Sequence, residues 1–246
     1  MKILVTNDDG INSKGLQALA EALKMAGEVI VVAPDRERSS VAHALTIHRP
    51  LRVERIRENT YAVDGTPVDC VILGVHLLRP ERPAIIASGI NKGENMGEDI
   101  LYSGTVSAAL EGTLMGIPSF AISTVSRRDF KFEGAAEFAL RVARFIQSNG
   151  LPRETLLNIN VPNLDADQIR SYRITRQGKR IYGDVVNEKT DPRGRKYYWI
   201  GDNEMSFERE KGTDFEAVSQ CCVSITPLHP NLTCSSCLRE METWKI

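Results

Sequence analysis

Lys2-Ile3-Leu4-Val5-Thr6-Asn7-Asp8-Asp9-Gly10 is an apolar run of strand length that breaks into a polar, glycine-closed loop. Downstream, Leu16, Leu19, Ala20 and Leu23 recur at helical spacing, and Glu28 to Ala33 is a second apolar run stopped by Pro34. Strand, helix, strand in that order implies two parallel strands joined by a right-handed helical crossover. The alternation continues. Ala62 to Val75 holds a Gly65-Thr66-Pro67 turn and a helix, and Ala84 to Ser88 reads as a strand. A glycine-rich loop from Gly89 to Gly104 follows, then a helix over Thr105 to Met115 and a strand over Ser119 to Ser123. Gly134 to Ile146 reads as a helix and Leu156 to Val161 as a strand. This series predicts an α/β fold, a mostly parallel sheet with helices on both faces.

Beyond about residue 165 the texture changes. Arg170, Arg173, Arg176, Lys179 and Arg180 crowd together, and Asp191-Pro192-Arg193-Gly194 is a turn between β-like runs. Hairpins projecting from the sheet are expected here, with a final strand over Cys222 to Thr226 and a short helix over Leu238 to Trp244. The division is therefore an α/β core over residues 1–165 and a C-terminal segment over 166–246.

The 31 basic and 32 acidic residues leave a net charge of −1, which excludes a general field for a nucleic-acid polymer. The first residues lack the pattern of a secretion signal, and no apolar run approaches membrane-spanning length, so a cytoplasmic protein with no membrane partner is expected. Five cysteines, an odd number, argue against a disulfide framework. Neighbouring strand residues Cys221 and Cys222 point to opposite faces, and the Cys234-x-x-Cys237 pair reads as reduced thiols rather than a zinc or redox site.

In an open parallel sheet, ligands bind beyond the carboxyl ends of the strands. Four loops fall there. Asp8 and Asp9 repel one another unless a cation lies between them, and Gly10 lets both face one point. Hard oxygen ligands of this kind suit Mg²⁺ or Mn²⁺. The second loop, Asp35-Arg36-Glu37-Arg38-Ser39-Ser40, offers hydroxyls and two guanidinium groups that can fork onto phosphate oxygens. The third, Ser88 to Asp99, contains Asn91, which can offer a neutral oxygen to a metal, and Lys92, a phosphate partner. The fourth, Ser103-Gly104-Thr105, opens a helix, where free N–H groups and two hydroxyls make an anion cradle. Each loop alone has an ordinary alternative, such as a cap or a solvated turn. Four at one sheet edge point to a phosphate-handling metal site.

These residues closely resemble the SurE (survival protein E) nucleotidases. The likeness runs through Ile3 to Gly10, Val32-Ala33-Pro34-Asp35-Arg36, Arg38-Ser39, Gly65-Thr66-Pro67, Asp69-Cys70 and Ser88-Gly89-Ile90-Asn91. It continues through Asn95, Gly97, Asp99, Tyr102 to Val106, Leu157 to Pro162, Gly212-Thr213-Asp214-Phe215 and Val223 to Leu228. Glu94 departs from it, standing where the family usually has proline. The resemblance implies a Rossmann-like domain whose C-terminal hairpin arm is exchanged between subunits, giving a homodimer or homotetramer. It implies hydrolysis of nucleoside 5′- and often 3′-monophosphates, sometimes short polyphosphate. By position, the ligands of one divalent ion per subunit are Asp8, Asp9, Ser39 and Asn91.

The mechanism expected is attack by metal-activated water. Ser103, Gly104 and Thr105 stabilise the phosphoryl oxygens, and Asn7 orients the water or the phosphate. Asn95, Arg38 and Lys92 join Ser103 and Thr105 in binding substrate. Covalent attack by Asp8 is the less favoured route, because the acidic residues are adjacent rather than spaced as Asp-x-Asp. A structural role is the favoured reading for His43, His48 and His229; were one of them a general acid, His229 after the last strand would be the best placed. The main rival is a non-catalytic, Mg²⁺-binding receiver-like signalling module, which needs an acceptor aspartate after the third strand. Ala87-Ser88-Gly89-Ile90-Asn91 has none there. A dinucleotide binder would need Gly-x-Gly-x-x-Gly after the first strand, and Gly10 and Gly15 do not supply it.

Overall fold

The computed structural model describes residues 1–181, 186–200 and 206–245. In chain order these form β1 (Lys2–Thr6), α1 (Lys14–Leu23), β2 (Glu28–Pro34), β3 (Val53–Arg57), β4 (Thr60–Val63), α2 (Pro67–Leu77) and β5 (Ile85–Lys92). Next come α3 (Gly104–Leu114), β6 (Ser119–Val125), α4 (Glu133–Asn149), β7 (Leu156–Pro162), β8 (Ser171–Ile174), β9 (Arg180–Ile181), β10 (Val186–Thr190) and β11 (Lys196–Ile200). The chain closes with β12 (Ser206–Phe207), α5 (Asp214–Ser219), β13 (Cys222–Leu228) and α6 (Ser235–Met241).

One sheet dominates, in the order β3-β4-β2-β1-β5-β6-β7-β13-β8. The run from β4 to β7 is parallel throughout. β3 is antiparallel at one edge, and β13 pairs antiparallel with β7 at the other. The period-2 pleat sorts β1 between two cores: Ile3 and Val5 face the layer of α1 and α4, Leu4 the layer of α2 and α3. α1 buries Leu16, Leu19, Ala20 and Leu23, the stripe read from the sequence. Each leucine so buried contributes about 2 kcal/mol. α2 starts where its sequence dictates. Thr66 accepts a hydrogen bond from the Asp69 N–H, the Asp69 carboxylate accepts one from the Thr66 N–H, and Pro67 occupies the first turn.

The fold confirms the mostly parallel sheet with helices on both faces. β10 and β11 form the expected hairpin about Asp191 to Gly194. Three details differ from the expectations. β5 does not end at Ser88: after a bulge between Ser88 and Asn91 it resumes pairing with β6 as far as Lys92. Gly89, at φ +136°, supplies the backbone conformation for that bulge. β3 and α5 carry no periodic signal long enough to read, and every residue of β3 is exposed. Finally, Cys234 and Cys237 are paired as a disulfide, not left as thiols, because the turn into α6 brings their Cα atoms to 5.5 Å. Among the described residues, no helix is long and apolar enough to cross a membrane.

Candidate active site

β1 lies between β2 and β5, so the chain leaves it for one neighbour while the other is added from the opposite side. The loops beyond such a strand part and leave a crevice. Asn7 to Gly10 sits at that point. Asn7 is fully buried, and its side chain bonds Gly10 in both senses: Nδ2 donates to the Gly10 carbonyl and Oδ1 accepts from the Gly10 N–H, each at 3.2 Å. Its amide therefore shapes the turn from behind the carboxylates. Gly10 has φ +93°, and a Cβ there would stand 2.8 Å from the Arg36 backbone. Only glycine lets the first and second loops approach so closely.

Asp8 points at the start of α3. Its Oδ1 accepts from the Thr105 hydroxyl at 2.5 Å and its Oδ2 from the Thr105 N–H at 3.1 Å. Burial pushes the Asp8 carboxyl up to about 6, the neighbouring Asp9 adds to the rise, and the Thr105 hydroxyl opposes it. Asp9 turns toward β5. Its Oδ1 lies 3.2 Å from Lys92 Nζ, and its Oδ2 accepts from the Lys92 N–H at 3.4 Å. Burial raises the Asp9 carboxyl as well, with Lys92 as the main counterweight.

Asn91 donates through Nδ2 to the Gly93 carbonyl at 2.9 Å. That bond fixes the amide and leaves the oxygen as its free end. Two desolvated carboxylates, one flanking ammonium and a neutral amide oxygen form a donor set of hard oxygens short of positive charge. This fits a divalent cation such as Mg²⁺ or Mn²⁺.

The second loop is tied in by its backbone. The Arg38 N–H donates to the Asp8 carbonyl at 2.7 Å. The Arg38 guanidinium turns away, toward Asp35 Oδ1 at 3.6 Å and the Asp64 carbonyl at 3.4 Å. Ser39 Oγ donates to Glu37 Oε1 at 2.7 Å on the exposed side of the loop. At the fourth loop, Ser103 Oγ caps α3 by accepting from the Val106 N–H at 3.0 Å. The Thr105 donors are both engaged by Asp8, which leaves the Ser103 hydroxyl hydrogen and the Gly104 N–H to face an anion. Gly104 is required by contact: a Cβ there would stand 2.9 Å from Asp8 Cβ.

Asn95 is placed apart from these groups, facing the sheet. Its backbone N–H donates to Asn160 Oδ1 at 2.9 Å, its Nδ2 to Ser123 Oγ at 2.8 Å, and its carbonyl accepts from Asn158 and Asn160. It anchors the third loop. Glu94 beside it is largely buried, and burial raises its carboxyl, with Asp99 adding to the rise against Arg127 and Arg180.

One contributor escaped the sequence reading. Because β13 runs antiparallel, the segment entering it reaches the same sheet edge as the site loops. Asp214, fully buried there, accepts from the N–H groups of Gly97, Gly178 and Phe215 at 2.8–2.9 Å. Gln177 Nε2 donates to the Gly97 carbonyl, and Arg180 bonds Asp99 Oδ1 at 2.6 Å. The C-terminal segment thus clamps the turn that leads into Ser103. The signal was Gly212-Thr213-Asp214, quoted for the resemblance but given no role. The same antiparallel course removes His229 from the site and leaves it the structural role favoured for it. β13 ends beside the beginning of β7, so His229 lies at the opposite sheet edge, 3.4 Å from Glu154. His43 lies nearer the site: the adjacent Ala42 N–H donates to the Tyr102 carbonyl, and His43 Nε2 is 3.1 Å from Glu111 Oε2.

Fold and site together define an α/β protein that holds paired carboxylates at the switch point of a parallel sheet, against the start of a helix. Comparison with known proteins gives that class its family. Residues 3–184 match the sequence model of survival protein SurE. A 5′-nucleotidase SurE of Pelobacter propionicus is 57% identical over 99% of this chain and 99% of its own length. That of Geobacter sulfurreducens is 55% identical over 100% of this chain and 94% of its own. The crystal structure of the SurE protein from Aquifex aeolicus matches with a TM-score of 0.90 at 45% identity, covering 98% of each chain. The chain belongs to the SurE family.

Proposed function

We propose that this chain is a divalent-metal-dependent phosphomonoesterase that hydrolyses nucleoside 5′-monophosphates, and 3′-monophosphates as well. The observation that carries the reading is the Asp8–Thr105 contact, which sets a desolvated carboxylate pair against the N-terminus of α3. Relatives named 5′-nucleotidase SurE, matched over their full length, support the same activity and disfavour a receiver-like signalling module.

Asp8, Asp9 and Asn91 would hold one Mg²⁺ or Mn²⁺ per subunit, with Ser39 completing the set once its hydroxyl turns from Glu37. When bound, the cation supplies Lewis acidity toward a phosphoryl oxygen and lowers the pKa of water. The chain supplies the rest. Thr105 fixes the Asp8 carboxylate through two hydrogen bonds, so its orientation is set before substrate arrives. The Ser103 hydroxyl and the Gly104 N–H receive the remaining phosphoryl oxygens at the positive end of α3. Lys92, half-exposed beside Asp9, neutralises charge on the substrate phosphate. Asn95 acts by holding the loop between Lys92 and Ser103 in place, and Asn7 by shaping the carboxylate turn.

Residues 1–165 carry these groups, and residues 166–246 complete the site through Asp214. The hairpin of β10 and β11 leaves Tyr198, Trp199 and Ile200 exposed, which supports an arm that joins subunits in a homodimer or homotetramer; the cytoplasm is the compartment proposed. The activity is tested by phosphate release from a panel of nucleoside monophosphates and other phosphate esters, with Mg²⁺, Mn²⁺ or chelator. Metal-dependent release from the nucleotides is expected. Equal release in chelator, or none from any nucleotide, would overturn the reading.

A further inference from the structure

Next to the carboxylates lies a cleft of about 500 Å³ that the steps above leave unused. Lys92 forms part of its wall and also contacts Asp9 at 3.2 Å, so cleft and metal site share a border. Its volume is that of a small-molecule site. Phe130 and Phe132, from the loop after β6, line it with nearly parallel rings, 13° apart in plane and 6.3 Å between centroids. Phe132 packs against the core and supports Phe130.

Phe130 is held from both flanks by one residue. The Lys131 N–H donates to Asn163 Oδ1 at 2.7 Å, and Asn163 Nδ2 donates to the Asp129 carbonyl at 3.0 Å. A half-buried aromatic ring fixed in this way, at the mouth of a cleft, offers a flat apolar surface at little entropic cost. Ser13 supplies a polar group. It stands at the N-cap of α1, yet its side chain makes no capping bond, and its buried Oγ has no hydrogen-bond partner among the described residues. Buried hydroxyls are normally satisfied; this one belongs to a residue of the cleft wall, lies just beneath the surface, and reaches a ligand atom by rotating about χ1.

We propose that this cleft is the nucleobase subsite: the base stacks on Phe130 and directs a polar edge atom to Ser13 Oγ, while Lys92 marks the passage to the phosphate. A flat ring with hydrogen-bonding edges matches both features, whereas phosphate would use the lysines and leave the aromatic wall idle. The inference rests on the nucleotidase reading above. It also separates two kinds of contact. Phosphate-end groups act on every substrate, and Phe130 and Ser13 act only on substrates that carry a base.

The test compares kcat/KM for AMP and for ribose 5-phosphate in the wild type, Phe130→Ala, Phe130→Leu and Phe130→Trp, with thermal melts to check folding. Aromatic stacking of a base predicts that the AMP to ribose 5-phosphate ratio falls about tenfold or more in the alanine and leucine variants, through KM. Tryptophan should keep the ratio. Ser13→Ala should lower it less. An unchanged ratio in folded Phe130→Ala and Phe130→Leu would overturn the proposal. So would an equal loss on both substrates, which would make Phe130 a support for the loop. If Lys14→Gln, at the second lysine of the cleft wall, raised KM for both substrates while the phenylalanine variants left the ratio unchanged, the cleft would be an anion site and the proposal would fall. Wild-type protein that hydrolyses neither ester would instead refute the nucleotidase reading itself.

Discussion

Replacing Asp8 with asparagine separates the cost of the site from its use. Burial moves the Asp8 carboxyl from 3.8 to about 6. At about 1.4 kcal/mol per pKa unit, the gap is about 3 kcal/mol of penalty on the charged form. The folded-state value is raised, so the folded chain binds more protons and is favoured at low pH. That advantage disappears as pH climbs from 3.8 to about 6, and above it the full penalty stands. Asparagine carries no charge and fits the same contacts. Its oxygen can accept from the Thr105 N–H while its amide donates to the Thr105 hydroxyl. The value of about 6 already includes the Thr105 hydrogen bonds to the charged form, so asparagine's neutral bonds simply stand in for those of the protonated carboxyl.

The metal-free variant should therefore be more stable than the wild type by about 2–3 kcal/mol at pH 8, or several degrees in melting temperature. Its advantage should fade as pH falls toward 4. Metal-dependent turnover should drop by well over a hundredfold, since one electrostatic donor alone is worth about that much. Thermal melts in chelator across this pH range, alongside phosphate release with Mn²⁺, make the measurement. A variant less stable than the wild type at pH 8 would refute the buried charge, and near-normal turnover would refute Asp8 as a metal ligand.

Three further outcomes are expected. Gly104→Ala presses a Cβ to 2.9 Å from Asp8 Cβ, so the carboxylate must shift; kcat should fall tenfold or more with only a small change in melting temperature. Asp214→Asn sets an amide N–H against one of three buried donors, so a loss of about 2 kcal/mol in urea unfolding and a fall in kcat should appear together. His229→Ala should leave kcat and its pH profile unchanged, because the imidazole lies across the sheet from the carboxylates, and a lost limb of that profile would contradict the strand direction.

The sheet and its helices were legible because each is long enough for its period to show, as with the leucines of α1 and the apolar runs of β1 and β2. The four site loops were legible by their place after those strands. Directions and side-chain partners were not. Nothing in Cys222 to Leu228 says whether that strand runs with β7 or against it, and the direction alone decides that Asp214 joins the site and His229 leaves it. Nor does Ser103-Gly104-Thr105 disclose that Thr105 spends both donors on Asp8. The thiols of Cys234 and Cys237 were misread because counting cysteines ignores a local turn that brings two of them together. The bulge at Gly89 hid two strand residues, Asn91 and Lys92, inside what looked like loop.

The grip of Asp214 on the Gly97 N–H has a bearing on biosynthesis. Translation delivers the carboxylates, the asparagine and the helix start long before this fastener leaves the ribosome. A nascent chain halted after residue 105 and before residue 214 therefore holds each group proposed to bind metal and phosphate without the carboxylate that fixes the turn before Ser103. On the proposed function, competence is expected only once the closing strand has docked, and a chain truncated before it is expected to hydrolyse no nucleotide.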